Sequence, residues 1–347
     1  MLEKILLVRN DRIGDLVLTT PAITALGESL PQSRIDLLCA SSTEAVVQGN
    51  PHLNEVLTDH GAHDSSDLKE LVELVRQQGY TCAVVLVNSF KNARLVRKAG
   101  IPLRVGPLVR WYAPFYFNRV VRQRRSRAEK NEAAYNLDLL APLGVIAGQL
   151  PPPLVIPTTE ALSRAGEILS SAFDSETDFP LLIVHPGMGG SALNWPQERW
   201  RELVELLAKS AKYRLLVTGS EVETELVGNV CSTATDNRLV KSVTGMSLED
   251  FIGLLSQASG VAAPSTGPLH LATALGVPVV AGIYSPVRVQ HPRRWGPLGK
   301  GESKVFLPDV ECPGKLDCLG CRCDLFPCMG RTTARAVFDY LDSALSS

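Results

Sequence analysis

The chain has 347 residues, of which 45% are hydrophobic, and it carries 35 Lys and Arg side chains against 36 Asp and Glu. This length and composition predict a globular protein of about two domains, each with its own core. The near-zero net charge argues against a general nucleic-acid binder, which carries a basic excess. Eight cysteines are too few for a disulfide scaffold of this length.

The first apolar run, at residues 5–8, is short and ends in the polar sequence RNDR. A signal peptide needs an apolar region of roughly 7–15 residues, and a membrane helix needs roughly 20. The sequence offers neither. We therefore expect a cytoplasmic protein, in which thiols stay reduced unless they bind a metal.

Short apolar runs alternate with helical patterns through the first half of the chain, which predicts an open α/β sheet. The runs are continuous, as in strands that are buried on both faces of a parallel sheet. The predicted strands are 5–8, 35–39 and 82–87, the predicted helices are 16–30 and 68–77, and 46–56 is predicted as a helical or turn segment.

A proline-rich stretch at 150–153 reads as an interdomain linker, and a second α/β series follows it. Two such units suggest a bilobal protein whose ligands bind in a cleft, at the carboxyl ends of the strands. The predicted strands are 181–184, 214–218, one near 261, and 277–283, and the predicted helices are 160–173, 200–209, 221–231, 248–258, 268–275 and 332–345.

A basic and aromatic stretch lies in the first half. Six basic side chains fall in residues 119–130, and five of the chain's twenty aromatic residues fall in residues 110–117. Two interpretations are open. The stretch is either a solvated and internally packed loop, or a contact for an anionic acceptor or an anionic membrane surface.

The first candidate site is the sequence RNDRIGD at residues 9–15, directly after the first strand. Gly14 permits a tight turn. Asp15, at the predicted helix start, is either an N-cap or a general base at the cleft. Asp11 is an alternative base, or an ion-pair partner of Arg9 or Arg12.

Two further loops follow strands of the second half. Glycines let backbone amides approach an anion, and a serine adds a hydroxyl, although such loops are also common without a ligand. The candidate residues are His185, Gly187 and Ser191 in HPGMGGS, and Thr218 and Gly219 in TGS.

A third motif, PSTGPLHLA, begins at residue 264. Ser265 and Thr266 are good N-cap residues. The amides at the helix start, including that of Gly267, are available to phosphate. His270 lies in the first turn. The alternative is a well-capped helix with a core histidine.

Together these motifs resemble glycosyltransferase family 9, the heptosyltransferases of lipopolysaccharide core synthesis. The resemblance extends over nearly the whole chain. It is carried by DRIGDLVLTTPA (11–22), HPG (185–187), NWPQERW (194–200) and STGPLHLA (265–272), with RVG (104–106) and NLDLL (136–140) as smaller matches.

The resemblance implies an α/β protein with the GT-B fold, in which two Rossmann-like domains face each other. Residues 1–155 would bind the acceptor, residues 156–330 the nucleotide sugar, and the helix in 331–347 would cross back to the N-terminal domain. The implied reaction is inverting and needs no cofactor or catalytic metal. Its base is Asp15. Arg9, Asp11, Arg12 and Gly14 lie on the acceptor side, and the HPGMGGS and TGS loops and the PSTGPLHLA motif lie on the donor side.

The implied donor is ADP-heptose, and the implied acceptor is a glycolipid of the lipopolysaccharide core or another cell-surface glycan. Peripheral contact with the cytoplasmic face of the inner membrane goes with such an acceptor. Two departures concern the donor: Leu193 stands where many members have Lys, and Ser265 where many have Asp. Arg9, Arg12 or Arg199 could replace the cation. The alternatives are another nucleotide-sugar donor, a sugar-nucleotide epimerase, or a binding protein without transferase activity.

Five of the eight cysteines are clustered near the C-terminus. Three states are open, and none is catalytic: reduced structural thiols, a structural zinc or iron–sulfur site that uses four of the five, or disulfides. The cluster consists of Cys312, Cys318, Cys321, Cys323 and Cys328, and Cys318 and Cys321 have the spacing of a zinc-ligand pair.

Overall fold

The computed structural model describes residues 2–61, 65–146, 148–173, 179–190, 192–234 and 238–346. The chain divides into two compact units. The first comprises Met1–Arg125 and Glu129–Ile156, and the second comprises Ser126–Ala128 and Pro157–Ser347. The ligand of each unit, and the packing of 331–347 on the N-terminal domain, stay predictions.

The described residues of the first unit form a six-stranded parallel sheet and six α-helices. The strands are β1 (Lys4–Arg9), β2 (Arg34–Ala40), β3 (Glu55–Asp59), β4 (Cys82–Val85), β5 (Leu103–Pro107) and β6 (Arg119–Val121). The helices are α1 (Ile13–Val17), α2 (Thr20–Ser29), α3 (Ser65–Gln77), α4 (Phe90–Lys98), α5 (Ala113–Tyr116) and α6 (Glu132–Asp138).

The strand order of this sheet is β3-β2-β1-β4-β5-β6, which is the Rossmann order. Every strand pair is parallel. β1 is central, because Ile5 pairs with Ile35 of β2 on one side and with Cys82 of β4 on the other. Residues 5–8 are apolar and fully buried, so both faces of this strand are covered. The order reverses between β1 and β4, and a crevice forms outside the carboxyl ends of strands at such a point.

The second unit repeats this plan, with another six parallel strands in the part of it that the structure describes. The strands are β7 (Leu181–Val184), β8 (Arg214–Gly219), β9 (Val240–Thr244), β10 (Gly260–Pro264), β11 (Val279–Ile283) and β12 (Glu302–Phe306). The helices are α7 (Thr159–Ala172), α8 (Gln197–Ser210), α9 (Thr224–Cys231), α10 (Leu248–Ser256), α11 (Gly267–Ala274), α12 (Pro292–Trp295) and α13 (Ala334–Leu345).

The order of the second sheet is β12-β11-β10-β7-β8-β9, which is the same order when the strands are counted from β7. Its reversal lies between β7 and β10. The core includes Trp195 and Trp200, whose rings meet edge to face at 4.9 Å. The C-terminal helix α13 packs on α8 and β11, and both of these belong to the second unit.

Two sequence predictions need correction. The predicted helix 16–30 is two helices, α1 and α2, because Pro21 has no amide proton and is accommodated only in the first turn of a helix. The segment 46–56 was predicted without a strand, yet β3 begins at Glu55. None of the described helices is long and apolar enough to span a membrane.

Candidate active site

A buried arginine organises the carboxyl end of β1. Arg9 is only 2% exposed, and its guanidinium donates to the carboxylate of Asp15 and, at 2.8 Å, to that of Asp11. Its third contact, 3.1 Å long, is with the carbonyl oxygen of Leu86, just beyond β4. Arg9 therefore bridges the two strands between which the sheet order reverses.

A second layer of polar groups lies behind Arg9. The carboxylate of Glu132, which is fully buried, lies 3.6 Å from Arg9 Nη1 and 2.5 Å from Arg125 Nη1. Asn136 donates to Leu18 O at 3.0 Å and so ties α6 to the segment between α1 and α2. Burial lowers the pKa of Arg9, but the charges of Asp15, Asp11 and Glu132 outweigh burial and raise the pKa above its usual range.

The N-cap interpretation of Asp15 is wrong. The N-cap of α1 is Arg12, which is exposed, and Asp15 is the third residue of the helix. Its side chain is 17% exposed, so a ligand can reach the carboxylate that Arg9 holds. Gly14 is a buried helical residue and not one with positive φ, so the expected tight turn does not form there.

In the second unit, His185 follows β7 and lies beside the end of β8. Its Nδ1 is 3.0 Å from the hydroxyl of Thr218, which is fully buried, and its Nε2 is 4.0 Å from the Glu223 carboxylate. Burial lowers the pKa of His185 to about 4, against a smaller opposing effect of Glu223. The imidazole is therefore neutral at neutral pH.

Glu223 was not found by sequence reasoning. Its carboxylate accepts hydrogen bonds from the Ser220 amide at 2.9 Å and the Ser220 hydroxyl at 2.7 Å. A Cβ at Gly187 would overlap this carboxylate, and one at Gly219 would lie 3.3 Å from Glu223 Cβ. The glycines thus leave room for a glutamate between the two loops. The spacing Ser220-x-x-Glu223, a capping box, was the available signal.

The pKa of Glu223 reflects opposing effects. Burial raises it, but the hydrogen bonds from the Ser220 hydroxyl and amide lower it by more, so the net shift is downward. An ionised carboxylate consequently lies at the carboxyl ends of β7 and β8, only partly exposed to solvent. Such a group accepts hydrogen bonds from hydroxyls.

The motif at 264–270 connects β10 to α11. Thr266 is the N-cap by position and is extended, but its hydroxyl donates to Pro264 O at 3.1 Å and does not cap the helix. Ser265 is buried, and its amide bonds to Ile283 O at 2.9 Å. The first-turn amides, including that of Gly267, therefore receive no side-chain cap and lie at the reversal of the second sheet.

His270 is the most informative residue of this motif. It is 3% exposed, and within the described ranges its Nδ1 has no hydrogen-bond partner. Burial lowers its pKa to about 4, so the ring is neutral at neutral pH. An unsatisfied buried polar atom costs about 1–3 kcal/mol. The neutral ring of His270 therefore has one nitrogen that is free to contact a ligand.

Trp295, which the sequence analysis did not single out, borders His270. The two ring centroids are 6.4 Å apart, and the guanidinium of Arg294 lies 4.5 Å over the Trp295 ring. A cation is therefore present near the third motif, although Leu193 replaces the family lysine. Leu193 itself packs against the core of the second unit.

The other candidates lie as follows. Ser191 is outside the described residues. Arg199, considered as a replacement cation, lies on α8, pairs with Glu202 at 2.7 Å and donates to Gly330 O at 3.3 Å. Arg9 is likewise engaged, by its three carboxylates.

The structure contains all eight cysteines as free thiols and gives the disulfide interpretation no support. In the part of the chain that the structure describes, no group of three or more His, Cys, Asp or Glu side chains could hold a metal ion. A zinc or iron–sulfur site at the cysteines thus has no support. Reduced thiols remain, and four of them line one small apolar cavity: Cys312, Cys318, Cys323 and Cys328.

Residues 68–318 match the model of glycosyltransferase family 9 (heptosyltransferase). The chain belongs to this family. It is 31% identical to a putative glycosyltransferase of Haemophilus influenzae over 88% of this chain and 90% of that protein. It is 26% identical to lipopolysaccharide heptosyltransferase 2 of Salmonella typhimurium, over 82% and 83% of the two chains.

Solved structures of this family share the fold. The family 9 glycosyltransferase of Veillonella parvula superposes with a TM-score of 0.82 at 20% identity, covering 99% of this chain and 97% of that one. The ADP-heptose lipopolysaccharide heptosyltransferase II of Escherichia coli gives 0.79 at 21% identity, with 99% and 98% covered. The predicted GT-B fold and enzyme class are confirmed: this family 9 member is a glycosyltransferase.

Proposed function

We propose that this enzyme transfers heptose from ADP-heptose to a hydroxyl of a lipopolysaccharide core, or of another cell-surface glycan, with inversion and without a catalytic metal. The observation that carries the proposal is Asp15, a partly exposed carboxylate held by the buried Arg9 at the reversal of the first sheet. The relatives named above, two of which are lipopolysaccharide heptosyltransferases, support the choice of donor and acceptor.

Asp15 acts as the general base. It takes the proton of the acceptor hydroxyl while the hydroxyl oxygen forms a bond to the anomeric carbon of the donor. The bond between that carbon and the diphosphate oxygen breaks with its electron pair, and ADP leaves. A single displacement of this kind inverts the anomeric centre. Arg9 is a positioning residue that fixes the carboxylate, with Asp11, Arg12 and Gly14 around it on the acceptor side.

Donor binding falls to the second unit. Negative charge grows on the diphosphate as it leaves, and helix-start amides at Thr266, Gly267 and Leu269 stabilise such charge without a metal. Neutral His270 donates from its orphaned side to the same group. His185, Gly187, Ser191, Thr218, Gly219 and Ser265 complete the donor side, with Thr218 acting through its bond to His185.

The domain roles follow from these assignments. Residues 1–155 bind the acceptor, and residues 156–330 bind the donor. Because the acceptor is a glycolipid, we also infer that the protein works at the cytoplasmic face of the inner membrane.

The decisive experiment measures heptose transfer from ADP-heptose to heptose-deficient lipopolysaccharide in the presence of EDTA, with the product anomer assigned by NMR. Asp15→Asn should retain ADP binding and lose about 10²–10⁴-fold in rate, the usual contribution of a general base. Asp11→Asn is the matched comparison, because both carboxylates contact Arg9. A larger loss in Asp11→Asn would move the base to Asp11, and unchanged rates in both variants would refute the mechanism.

A further inference from the structure

We propose that an aromatic cluster on the first unit, framed by arginines, docks on an anionic lipid bilayer. The cluster consists of Phe90, Trp111, Tyr112, Phe115 and Tyr116. Its rings are in mutual edge contact: Phe90 is 5.0 Å from Tyr112 and 5.4 Å from Tyr116, and Trp111 is 6.3 Å from Phe115. Five residues from two separate segments thus form one continuous apolar surface.

The outer members of the aromatic cluster are unusually exposed. Trp111 is 81% exposed and Phe115 is 64% exposed, whereas Trp195 and Trp200 are buried. Leu108, Val109 and Val120 extend the exposed apolar area. The inner members are anchored, because the Tyr112 hydroxyl donates to Asn88 at 3.1 Å. The cluster is therefore a fixed surface that presents a tryptophan and a phenylalanine outward, as side chains at membrane interfaces do.

The charge of the residues around the aromatic cluster indicates what kind of partner this surface binds. Residues 90–130 carry twelve Lys and Arg side chains but only one acidic residue, Glu129, although the whole chain is balanced. Arg97 lies 5.4 Å over the Tyr116 ring and Arg94 lies 5.8 Å over the Phe90 ring. Arg110, beside Trp111, is exposed. Lys91, Arg125 and Lys130 are paired with acidic residues outside this range. The arginines that frame the rings nevertheless make the surface cationic, and cationic side chains beside exposed aromatics favour an anionic interface.

Two other occupants fit less well. A second copy of the chain would bring two cationic frames together, and like charges oppose such an isologous contact. Single-stranded nucleic acid needs open ring faces for base stacking. The exposed apolar residues nearest to Trp111 in the sequence, Leu108 and Val109, are instead aliphatic and offer no face for base stacking.

The location of the surface fits the proposed function, on which this inference rests. α4, which begins with Phe90, follows β4, and the loop with Trp111 follows β5. Both therefore start at the carboxyl edge of the first sheet, the edge from which Asp15 also follows β1. A bilayer met by the aromatic cluster would present the head group of a glycolipid to the same edge.

The test uses the full-length protein and vesicles of phosphatidylcholine alone or with 30% phosphatidylglycerol as the probe, without donor or acceptor. Wild-type protein should float with the anionic vesicles and not with the neutral ones, and its Trp fluorescence should shift to the blue. Trp111→Phe should lose most of that shift, whereas Trp295→Phe should keep it. Trp111→Ala/Phe115→Ala should weaken binding about tenfold, while the control Ile146→Ala/Val222→Ala, which removes equally exposed aliphatic side chains, should bind normally.

Three results would overturn the inference: no flotation of the wild type, retention of a single-stranded oligonucleotide in preference to vesicles, or a dimer that Trp111→Ala/Phe115→Ala dissociates. Failure of the transferase proposal is separated by a second assay, which measures transfer from ADP-heptose to a water-soluble, lipid-free acceptor. Trp111→Ala/Phe115→Ala should retain that activity.

Discussion

Arg9 donates to the carboxylate of Asp15 from a position that is almost wholly enclosed, while Asp15 itself is open to solvent on one side. The charge that holds the proposed base is therefore built into the core of the first unit. Its other contacts, with Asp11, Glu132 and Leu86, fix the guanidinium in place. The proposed base is oriented by the fold before any substrate arrives.

Replacing Arg9 should destabilise the first unit. Arg9→Ala removes a cationic partner of the buried Glu132, and removing one member of a buried ion pair costs about 3–5 kcal/mol. The free energy of unfolding from urea titration measures this loss. Arg12→Ala, a change at the exposed N-cap of α1, should alter stability by less than about 0.5 kcal/mol. Equal stability of the two variants would contradict the buried-anchor role of Arg9.

Acid should destabilise the second unit through its buried histidines. His185 and His270 have folded-state pKa values of about 4, below the usual 6.5. Between these pH values the unfolded chain binds protons that the folded chain does not, so stability is full above pH 6.5 and falls toward pH 4. Each histidine contributes up to about 1.4 kcal/mol per pH unit in that window.

The pH effect can be divided between the two groups. His270→Phe removes one of them. The part of the pH dependence of the unfolding free energy that comes from the two histidines should therefore fall to about half. His60→Phe, a change of an exposed histidine to the same residue, is the matched control for the substitution itself. Identical slopes in wild type and His270→Phe would show that His270 is not buried in its neutral form.

His270→Phe should also separate stability from donor binding. The phenyl ring fills the site without an orphaned nitrogen, so the free energy of unfolding should stay equal or rise by about 1 kcal/mol. The affinity for ADP, measured by calorimetry, should fall about tenfold because one donated hydrogen bond is lost. Unchanged affinity would remove His270 from the donor site.

Two glycines in helices should respond oppositely to alanine. A Cβ at Gly253 of α10 would overlap the backbone oxygen of Ala161 in α7, so Gly253→Ala should cost about 1–3 kcal/mol through overpacking. Gly228 of α9 faces open space, so Gly228→Ala should stabilise by up to about 1 kcal/mol through helix propensity. Denaturation midpoints of the two variants on opposite sides of the wild type are the expected outcome, and a neutral Gly253→Ala would contradict the close packing of α7 on α10.

The sequence alone predicts the inner strands but not the outer ones. β1, β7 and β10 are continuous apolar runs, and they were found. β12 carries Glu302 and Lys304 on an exposed edge, so its pattern resembles a loop. β9 is half-exposed for the same reason. Edge strands are stabilised by backbone pairing, which side-chain patterns do not report.

Within the site, the sequence motifs predict where the functional residues lie in the chain but not which residues they contact. The loop with Arg9 and Asp15 was found from its place after a strand. Its ion pair with Glu132 joins residues more than a hundred positions apart and has no local signal. For Gly187 the physical reason differs from the expected one, since the space that the glycine leaves is used by Glu223. Contacts of this kind follow from topology.

The two sheets share one strand order, yet the groups at their two reversals come from separate stretches of chain. The Arg9–Asp15 loop depends on β1, β4 and α6, whereas His185 and His270 depend on β7, β8 and β10. A substitution at one of these two sites therefore leaves the strands and helices that support the other site unchanged. With the proposed roles of the two units, the specificities for sugar donor and for acceptor can therefore diversify independently on this scaffold, each by changes at a single turn of its own sheet.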